Sequence, residues 1–362
     1  MITLPKHVLL IKAHSMGIGD LLRSSAAWRA IKQKWPNASL HLLMLQKESN
    51  VSTEQFISSH HLLSSATFIK VKLETHKNLQ KNISFAELKR RAVLQLEHVN
   101  FDLVIDCEPY GVTTSLLTCQ LATARGVVSV GIAQFPLRKY FYSIASASSR
   151  QYRAQNHLGS PMDYAERDFV VLAILGVARN KTRIELALTA KALQWQILHA
   201  EKFKTSAKKV VLNIGCGTED ALPKRPDMNA LVDAMFQFFL CQPFELHLSG
   251  ASYEHEINER FMRLFAQRAA AFHLSPKMTN WAGHCALDEL AGLIAQASVM
   301  ISSDSGPYHM AVALKVPTVC WFNFYTPASH HDHHDVALLV NPRPITFADA
   351  AERLLAQRPV GV

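Results

Sequence analysis

An aspartate behind two closely spaced glycines is the first candidate for chemistry in this chain. The run Gly17-Ile18-Gly19-Asp20 follows the apolar segment 7–11 and precedes a helical pattern of apolar residues. Glycines allow a backbone to approach a ligand closely, and an aspartate at a helix start can either cap the helix or face a ligand. Both roles of Asp20 stay open on residue type alone. Because the GxGxxG order is missing, the run does not match a dinucleotide-binding fingerprint.

A second loop combines glycines, a hydroxyl group and two cations. Gly215-Cys216-Gly217-Thr218 follows another apolar segment, and Lys224-Arg225 stands shortly before the next helical pattern. Unpaired amides and the helix dipole favour phosphate at a helix N-terminus, so this loop could bind an anion. The loop lacks the GxxxxGK[ST] order of a Walker loop, and its residue types alone favour an ordinary surface turn.

The densest group of short polar residues is Ser302-Ser303-Asp304-Ser305, which is followed by Gly306-Pro307 and a helical pattern. The amides of Ser305 and Gly306 could point at a diphosphate, and His309 lies one turn into the helix on the same side. A capped strand-to-helix turn is the alternative. The group holds more polar side chains than capping requires, so we favour a functional site.

Four histidines and two aspartates form the run His330-His331-Asp332-His333-His334-Asp335. Residues of these types can bind a divalent metal. Neighbouring side chains diverge, however, and fit a single tetrahedral site poorly, so we favour a solvated loop and predict no metal site. If His331 or His334 faces a bound donor, it could contact phosphate and gain a proton as the pH falls through the usual range of histidine.

Short apolar segments alternate with helical patterns twice along the chain, which predicts two parallel sheets covered by helices. The predicted strands are 7–11, 39–45, 101–106 and 127–132 in the first series, and 209–214, 244–248, 298–302 and 318–322 in the second. We therefore predict an α/β protein with an N-terminal domain over 1–190, a C-terminal domain over 205–345, and a last helix within 346–362 that could pack back on the first domain. The three glycine and serine loops each follow a predicted strand, where open α/β sheets bind ligands.

The composition fits two folded domains and disfavours several classes of protein. The chain has 362 residues, of which 49% are hydrophobic and 19% charged, so it can build large cores and is not a disordered chain. The longest apolar run, 169–178, is too short to cross a bilayer, and the N-terminus has no signal-peptide pattern, which together predict a cytoplasmic location. Six scattered cysteines without a CxxC pair predict buried thiols in a reducing compartment.

The net charge of +9 admits nucleic acid, an anionic membrane surface or a phosphorylated small molecule as partners. Proteins that bind nucleic acid usually cluster their basic residues, whereas here they are dispersed apart from short groups such as Lys89-Arg90-Arg91 and Lys208-Lys209. We expect most of them to be solvated, rank contact with anionic lipid or phosphate second, and predict no nucleic-acid partner.

Several stretches, in order along the chain, resemble the ADP-heptose:lipopolysaccharide heptosyltransferases of glycosyltransferase family 9. They are residues 8–12 with 17–20, the run 101–106, and the stretch from Trp281-Ala282-Gly283 through 303–311 to Pro317-Thr318-Val319. The resemblance implies a GT-B fold, in which two Rossmann-like domains present their parallel sheets to each other across a cleft. It also implies an inverting transferase, without metal or other cofactor, that moves a heptose from ADP-heptose to a lipopolysaccharide core or a related membrane-bound glycan.

The resemblance further implies roles for single residues. Asp20 matches the general base that takes the proton of the acceptor hydroxyl, and Gly17 and Gly19 belong to the glycine loop on the acceptor side. The residues matched to the donor site are Lys224 at the phosphates, Asp304 at the sugar, Ser305, Gly306 and His309 at the diphosphate and nucleoside, and Thr218 through its hydroxyl group. Either Glu254 or Glu256 matches an acidic residue that contacts the nucleoside.

Two other functions remain open at this point. A relative with the same fold could use a different nucleotide sugar to build capsule or exopolysaccharide, and a non-catalytic protein could bind a nucleotide sugar on the same scaffold. The presence of Asp20 favours catalysis. The partners that we expect are a nucleotide-sugar donor, a lipid-linked or lipopolysaccharide acceptor, and the inner face of the inner membrane through peripheral contact.

Overall fold

The computed structural model divides the chain into two compact units, Met1–Ile184 and Glu185–Val362. It describes residues 4–13, 17–46, 51–74, 80–158, 164–179, 183–216, 219–324 and 331–357. The sequence placed the boundary later, in the polar stretch 189–208. Each unit has its own sheet and its own set of helices, and the two are described in turn.

The first unit contains a six-stranded sheet in which all neighbouring strands are parallel. Its strands are β1 (His7–Ala13), β2 (Ser39–Gln46), β3 (Ser65–Lys70), β6 (Leu103–Asp106), β7 (Val128–Ile132) and β8 (Ile144–Ser146), and a separate antiparallel pair is formed by β4 (Lys72–Glu74) and β5 (Gln80–Asn82). The order across the large sheet is β3-β2-β1-β6-β7-β8. The residues from Val8 to Ile11 are fully buried because β1 has strands on both sides and helices cover both faces of a parallel sheet.

The helices of the first unit are α1 (Ile18–Arg23), α2 (Ser25–Lys34), α3 (Val51–Ser58), α4 (Phe85–Gln95), α5 (Thr113–Arg125), α6 (Ser149–Gln155) and α7 (Tyr164–Leu172). The sequence predicted one helix behind the glycines, but the structure has two. The Ser25 hydroxyl donates to the carbonyl of Leu22 at 2.5 Å and competes with the backbone for that acceptor where α1 ends. Residues 47–94 show no clear strand or helix pattern in the sequence. They contain α3, β3, the β4–β5 pair and most of α4.

The second unit repeats the architecture with a second parallel sheet of six strands. Its strands are β9 (Lys208–Asn213), β10 (Phe244–Ser249), β11 (Met278–Asn280), β12 (Val299–Ser303), β13 (Thr318–Phe322) and β14 (Val336–Val340). Its helices are α8 (Ala190–Leu198), α9 (Met228–Cys241), α10 (His255–Ala270), α11 (Leu287–Ala295), α12 (Gly306–Ala313) and α13 (Pro344–Gln357). The eight strands predicted from the sequence are confirmed to within two residues at either end; β11 and β14 were not predicted.

The two sheets share one strand order. In the second unit it is β11-β10-β9-β12-β13-β14, so each sheet begins at an inner strand, extends to one side, and then crosses back to the other. This is the doubly wound order, and ligands bind it where the direction of winding reverses. The reversal lies between β1 and β6 in the first unit and between β9 and β12 in the second. The loops behind these four strands are therefore the positions at which to look for a site.

Two helices lie at the ends of the second unit. Helix α8 belongs to the second unit because Thr189 Oγ1 donates to Asp288 Oδ1 at 2.6 Å and Gln196 Nε2 donates to the carbonyl of Gly292 at 2.8 Å, both at α11. The sequence allowed the last helix to pack back on the first domain. The buried side chains of α13, including Phe347 and Leu354, join the core of the second unit.

The helices within the described part of the chain include none that is long and apolar enough to cross a bilayer. All six cysteines are free thiols, but only Cys107 and Cys320 are buried, and Cys241 is exposed. The expectation of six buried thiols is therefore wrong for the other four.

Candidate active site

Asp20 lies at the edge of the first sheet where β1 ends. Gly17 caps α1, and Asp20 is the third residue of that helix, so it is not the cap residue that the sequence left as one alternative. Its side chain is 37% exposed, and Arg23 Nη1 lies 3.9 Å from Asp20 Oδ1. A carboxylate that is half-exposed and has a cation at one turn's distance can accept a proton from a bound molecule.

A buried group of charged residues lies behind β1 and β6, at the same reversal point. Lys12 Nζ donates to Asp168 Oδ1 at 2.5 Å, and the amide of Ala13 donates to Glu108 Oε1 at 3.1 Å. Burial lowers the pKa of Lys12, but the charges of Asp168, Cys107 and Glu108 together raise it above its usual value. Burial raises the pKa of Glu108 to about 7, against the opposing charge of Lys12. This group was not predicted from the sequence, although the acids at positions 106 and 108, at the end of β6 and just after it, were its local signal.

Asp106, the last residue of β6, anchors the loop behind the neighbouring strand β7. Arg138 Nη2 donates to Asp106 Oδ2 at 2.9 Å, and the Tyr142 hydroxyl donates to the same oxygen at 2.7 Å. Burial raises the pKa of Asp106, while its bonds to Tyr142 and Arg138 act in the opposite direction. The Tyr142 ring also occupies the space beside Gly131, where a Cβ would lie 2.1 Å from Tyr142 Cζ.

In the second unit, Asp304 follows β12, and a lysine and a histidine side chain meet its carboxylate. Lys224 Nζ donates to Asp304 Oδ2 at 2.9 Å, and His309 Nε2 lies 3.7 Å from Asp304 Oδ1. Asp304 is buried, whereas the Lys224 side chain is 32% exposed. The three residues that the sequence assigned to one donor site are thus together in space, and Lys224 keeps an accessible face for an anion.

His309 is held on its other side by His331. His309 Nδ1 and His331 Nε2 are 3.0 Å apart, and both rings are buried. The solvated loop expected for 330–335 is therefore wrong for His331 and Asp335, which are both buried, and it agrees with the exposure of Asp332 and His334. Among the described residues no group of three or more His, Cys, Asp or Glu side chains is placed to hold a metal ion. His330 lies outside the described residues.

The turn between β12 and α12 is tied to the end of β9. Asn213 Nδ2 donates to the carbonyl of Gly215 at 2.8 Å and to Ser305 Oγ at 3.1 Å, and Ser303 Oγ donates to the same carbonyl at 2.7 Å. Ser305 precedes α12, and its side chain makes no cap hydrogen bond to that helix. The amides of the first turn, which begins at Gly306, are thus not closed by a side-chain cap and can serve an anion.

Glu254 and Glu256 differ in burial. Glu254 is buried against Gly215, where a Cβ would lie 1.6 Å from Glu254 Oε1, whereas Glu256 is exposed on α10. The Glu254 carboxylate accepts a hydrogen bond from the amide of Ala251 at 2.8 Å and lies 3.6 Å from Arg225 Nη2. Gly217 and Thr218, in the same loop, lie outside the described residues.

Part of this sequence matches a family of known proteins. Residues 245–335 match the sequence model of glycosyltransferase family 9 (heptosyltransferase), a segment that includes Glu254, Asp304 and His309. The resemblance drawn from the motifs is confirmed over this segment. A search of curated protein sequences gives no match.

Solved structures of family 9 glycosyltransferases share the fold over the whole chain. A family 9 glycosyltransferase from Veillonella parvula has a TM-score of 0.72 at 15% identity, with 98% of each chain covered. The ADP-heptose lipopolysaccharide heptosyltransferase II of E. coli has a TM-score of 0.67 at 14% identity, and E. coli heptosyltransferase WaaC with ADP-2-deoxy-2-fluoro heptose has one of 0.60 at 18% identity; each match covers 97% of this chain and 99% of the other. The α/β fold predicted from the sequence, of the GT-B type with two Rossmann-like units, is confirmed.

Proposed function

We propose that this chain is a glycosyltransferase that moves a heptose from ADP-heptose to a lipopolysaccharide core or a related membrane-bound glycan, with inversion at the anomeric carbon. The observation that carries the proposal is the group formed by Lys224, Asp304 and the uncapped start of α12 at the reversal point of the second sheet. The similar E. coli heptosyltransferase WaaC has been solved with ADP and with ADP-2-deoxy-2-fluoro heptose.

The donor diphosphate fits beside Lys224 and the first turn of α12. Lys224 supplies a cation with an accessible face, and the amides at Ser305 and Gly306 supply hydrogen-bond donors at a helix N-terminus. As the bond between the sugar and ADP breaks, negative charge grows on the leaving phosphate, and donors that are already in place stabilise it. Asp304, held by Lys224 and His309, is assigned to the hydroxyl groups of the donor sugar.

We assign the proton transfer to Asp20. Its carboxylate takes the proton of the acceptor hydroxyl while that oxygen forms a bond to the anomeric carbon, and the bond from that carbon to the ADP oxygen breaks. Attack from the face opposite the diphosphate inverts the anomeric carbon. Gly17 and Gly19 leave the backbone around Asp20 without side chains, so an acceptor can approach closely.

The proposal is tested by transfer from ADP-heptose to a lipopolysaccharide acceptor, with Asp20→Asn compared to wild type. We expect the rate of transfer to fall by about 100-fold or more while ADP affinity is unchanged, because a general base contributes about 10²–10⁴ to a rate. Glu97→Gln, at an exposed acid of the same unit, is the matched control and should transfer at the wild-type rate. Equal rates in wild type and Asp20→Asn would remove Asp20 from the chemistry.

The donor is tested separately by thermal shift with ADP, UDP and GDP, since a ligand that binds the folded state raises its stability. We expect ADP to give the largest shift, and Lys224→Met to reduce it, with Lys191→Met on the exposed surface of α8 as control. A preference for UDP or GDP would replace ADP-heptose by another nucleotide sugar and leave the fold unaffected. Loss of transfer in a chelator, restored by added cation, would contradict the metal-independent reaction.

A further inference from the structure

Five large apolar side chains are exposed on two loops of the first unit. Tyr110 and Val112 follow β6, and Phe135, Leu137 and Tyr140 follow β7; their exposed fractions lie between 54% and 75%. We call these five residues the apolar loop patch. Single exposed apolar residues are common on soluble proteins, but a group of five on adjacent loops marks an interaction surface.

The two loops are fastened to each other. The buried Arg138 donates from Nη1 to the carbonyl of Gly111 at 2.8 Å and from Nη2 to the carbonyl of Glu108, both in the loop behind β6. The rings of Tyr110 and Phe135 are 6.2 Å apart across the junction. The apolar loop patch is therefore one surface held in place by the fold, and its exposure is not the result of a loose segment.

The charge around the patch is positive. Lys139 lies within it, with its Nζ 5.1 Å from the centre of the Tyr140 ring, and Arg150 is exposed at the start of α6 behind the neighbouring strand β8. The amide of Ser149 donates to Gln134 Oε1 at 2.9 Å and ties that helix to the loop behind β7. Residues 109–158 contain no Asp or Glu and five Lys and Arg, of which the buried Arg138, and Arg125 over the ring of Phe101, lie away from the patch surface. Aromatic and aliphatic side chains next to basic ones, without acids, match the boundary between lipid tails and anionic headgroups.

The patch lies at the same edge of the sheet as Asp20. Strands β6 and β7 are the first and second neighbours of β1 on one side, and all three are parallel. Adjacent strands are about 4.8 Å apart, so the loops behind β6 and β7 begin about 5 and 10 Å from the loop that contains Asp20. A surface that the patch touches is therefore close to the proposed general base.

We infer that the apolar loop patch rests on an anionic phospholipid bilayer and holds the edge of the first sheet that carries Asp20 against the membrane surface. The inference rests on the proposed function in one respect, since an acceptor anchored in a bilayer gives this placement its use. Leu137 and Tyr140, the most exposed members, enter the interface, and Lys139 and Arg150 contact the headgroup phosphates.

The test is co-sedimentation with vesicles of phosphatidylcholine alone and of phosphatidylcholine with phosphatidylglycerol, without donor or acceptor. We expect wild type to bind the anionic vesicles, to bind them less at high salt, and to bind neutral vesicles weakly. The variant Leu137→Asp/Tyr140→Asp should partition to anionic vesicles at least tenfold less. Its matched control, Ile197→Asp/Leu198→Asp, replaces two side chains of α8 that are 76% and 72% exposed and should bind as wild type does.

Equal vesicle binding by the patch variant and wild type would overturn the inference, as would equal losses in the patch variant and its control. The alternative occupant of the patch is a second copy of the chain, which light scattering tests. If wild type is a dimer that does not bind vesicles, and the patch variant is a monomer, the patch is a dimer interface and the membrane inference is wrong. The ADP thermal shift is measured on the same variants. A normal shift with lost vesicle binding separates failure of the membrane surface from failure of the proposed donor site.

Discussion

Replacing Gly215 with alanine should displace Glu254 from its place in the donor unit. The new Cβ would lie 1.6 Å from Glu254 Oε1 and 2.1 Å from its Cδ, far inside the ordinary contact distance. The carboxylate must therefore move by about 2 Å, which is a distance at which a hydrogen bond is lost. The displaced group gives up its bond from the Ala251 amide, 2.8 Å long, and its ion pair with Arg225.

The size of the effect follows from the bonds that are lost. A hydrogen bond to a charged group contributes about 1.5–3 kcal/mol. The family resemblance left the nucleoside contact open between Glu254 and Glu256. If the buried Glu254 makes it, Gly215→Ala should weaken ADP binding by about ten- to hundredfold, because 1.4 kcal/mol is a factor of ten in a dissociation constant. Isothermal titration of ADP measures this directly on the full chain.

A double-mutant cycle decides whether the loss passes through Glu254. In a Glu254→Ala background, the alanine at 215 no longer meets a carboxylate, so the double variant should bind ADP as weakly as Glu254→Ala alone. Gly17→Ala is the control, because its Cβ would meet only Asp20 Oδ2 at 3.7 Å, an ordinary contact. If the two losses add in the double variant, the steric argument is wrong.

Three further changes have expected outcomes. Gly131→Ala puts a Cβ 2.1 Å from the ring of the buried Tyr142 and should lower the free energy of unfolding by about 1–3 kcal/mol, as measured by urea denaturation. The pKa of Glu108 is raised to about 7, so the folded state binds its proton more tightly than the unfolded state, and stability should fall as the pH rises from about 4.5 to 7; Glu108→Gln should remove that part of the slope. His331→Ala removes the partner of His309 and should weaken ADP binding by about two- to tenfold, the value of one neutral hydrogen bond.

Each of these changes has its own comparison. Gly17→Ala should leave the urea midpoint unchanged, and an equal loss there would show that any added methyl destabilises the unit. The pH argument fails if the stability profiles of wild type and Glu108→Gln run parallel between pH 4.5 and 7. For the histidine pair, His334→Ala at an exposed position should bind ADP normally, and His331→Gln should recover part of the affinity. An unchanged affinity in His331→Ala would separate this contact from the donor site.

The sheets could be predicted because their inner strands carry local signals. The apolar segment at β1 and the one at β9 are both continuous and buried, and each is followed by small polar residues where the strand ends. Strand β3 could not be found in the same way, because most of its residues are only half-buried and its pattern is mixed. The edge strand β14 is also mostly half-buried. Its short apolar run cannot be distinguished from a helical segment by pattern alone.

The candidate site was only partly visible in the sequence. Lys224 and Asp304 are 80 positions apart, and their place in one donor site was expected only from the family resemblance. Lys12 and Asp168 are separated by 156 positions and gave no local signal. The burial of His331 was not predicted, because the divergence of adjacent side chains gives no information about a partner from another segment. His309, in a different segment, supplies that partner.

The guanidinium of Arg138 makes lysine an unsuitable replacement at this position. Its planar group donates to Asp106 on β6, to the carbonyls of Glu108 and Gly111, and from Nε to the Tyr142 hydroxyl at 3.0 Å. An ammonium group has three donors at a single point and cannot reach acceptors that lie in these different directions. A change that keeps the charge would thus still loosen the tip of one loop from the other, and with it the aromatic face beside it.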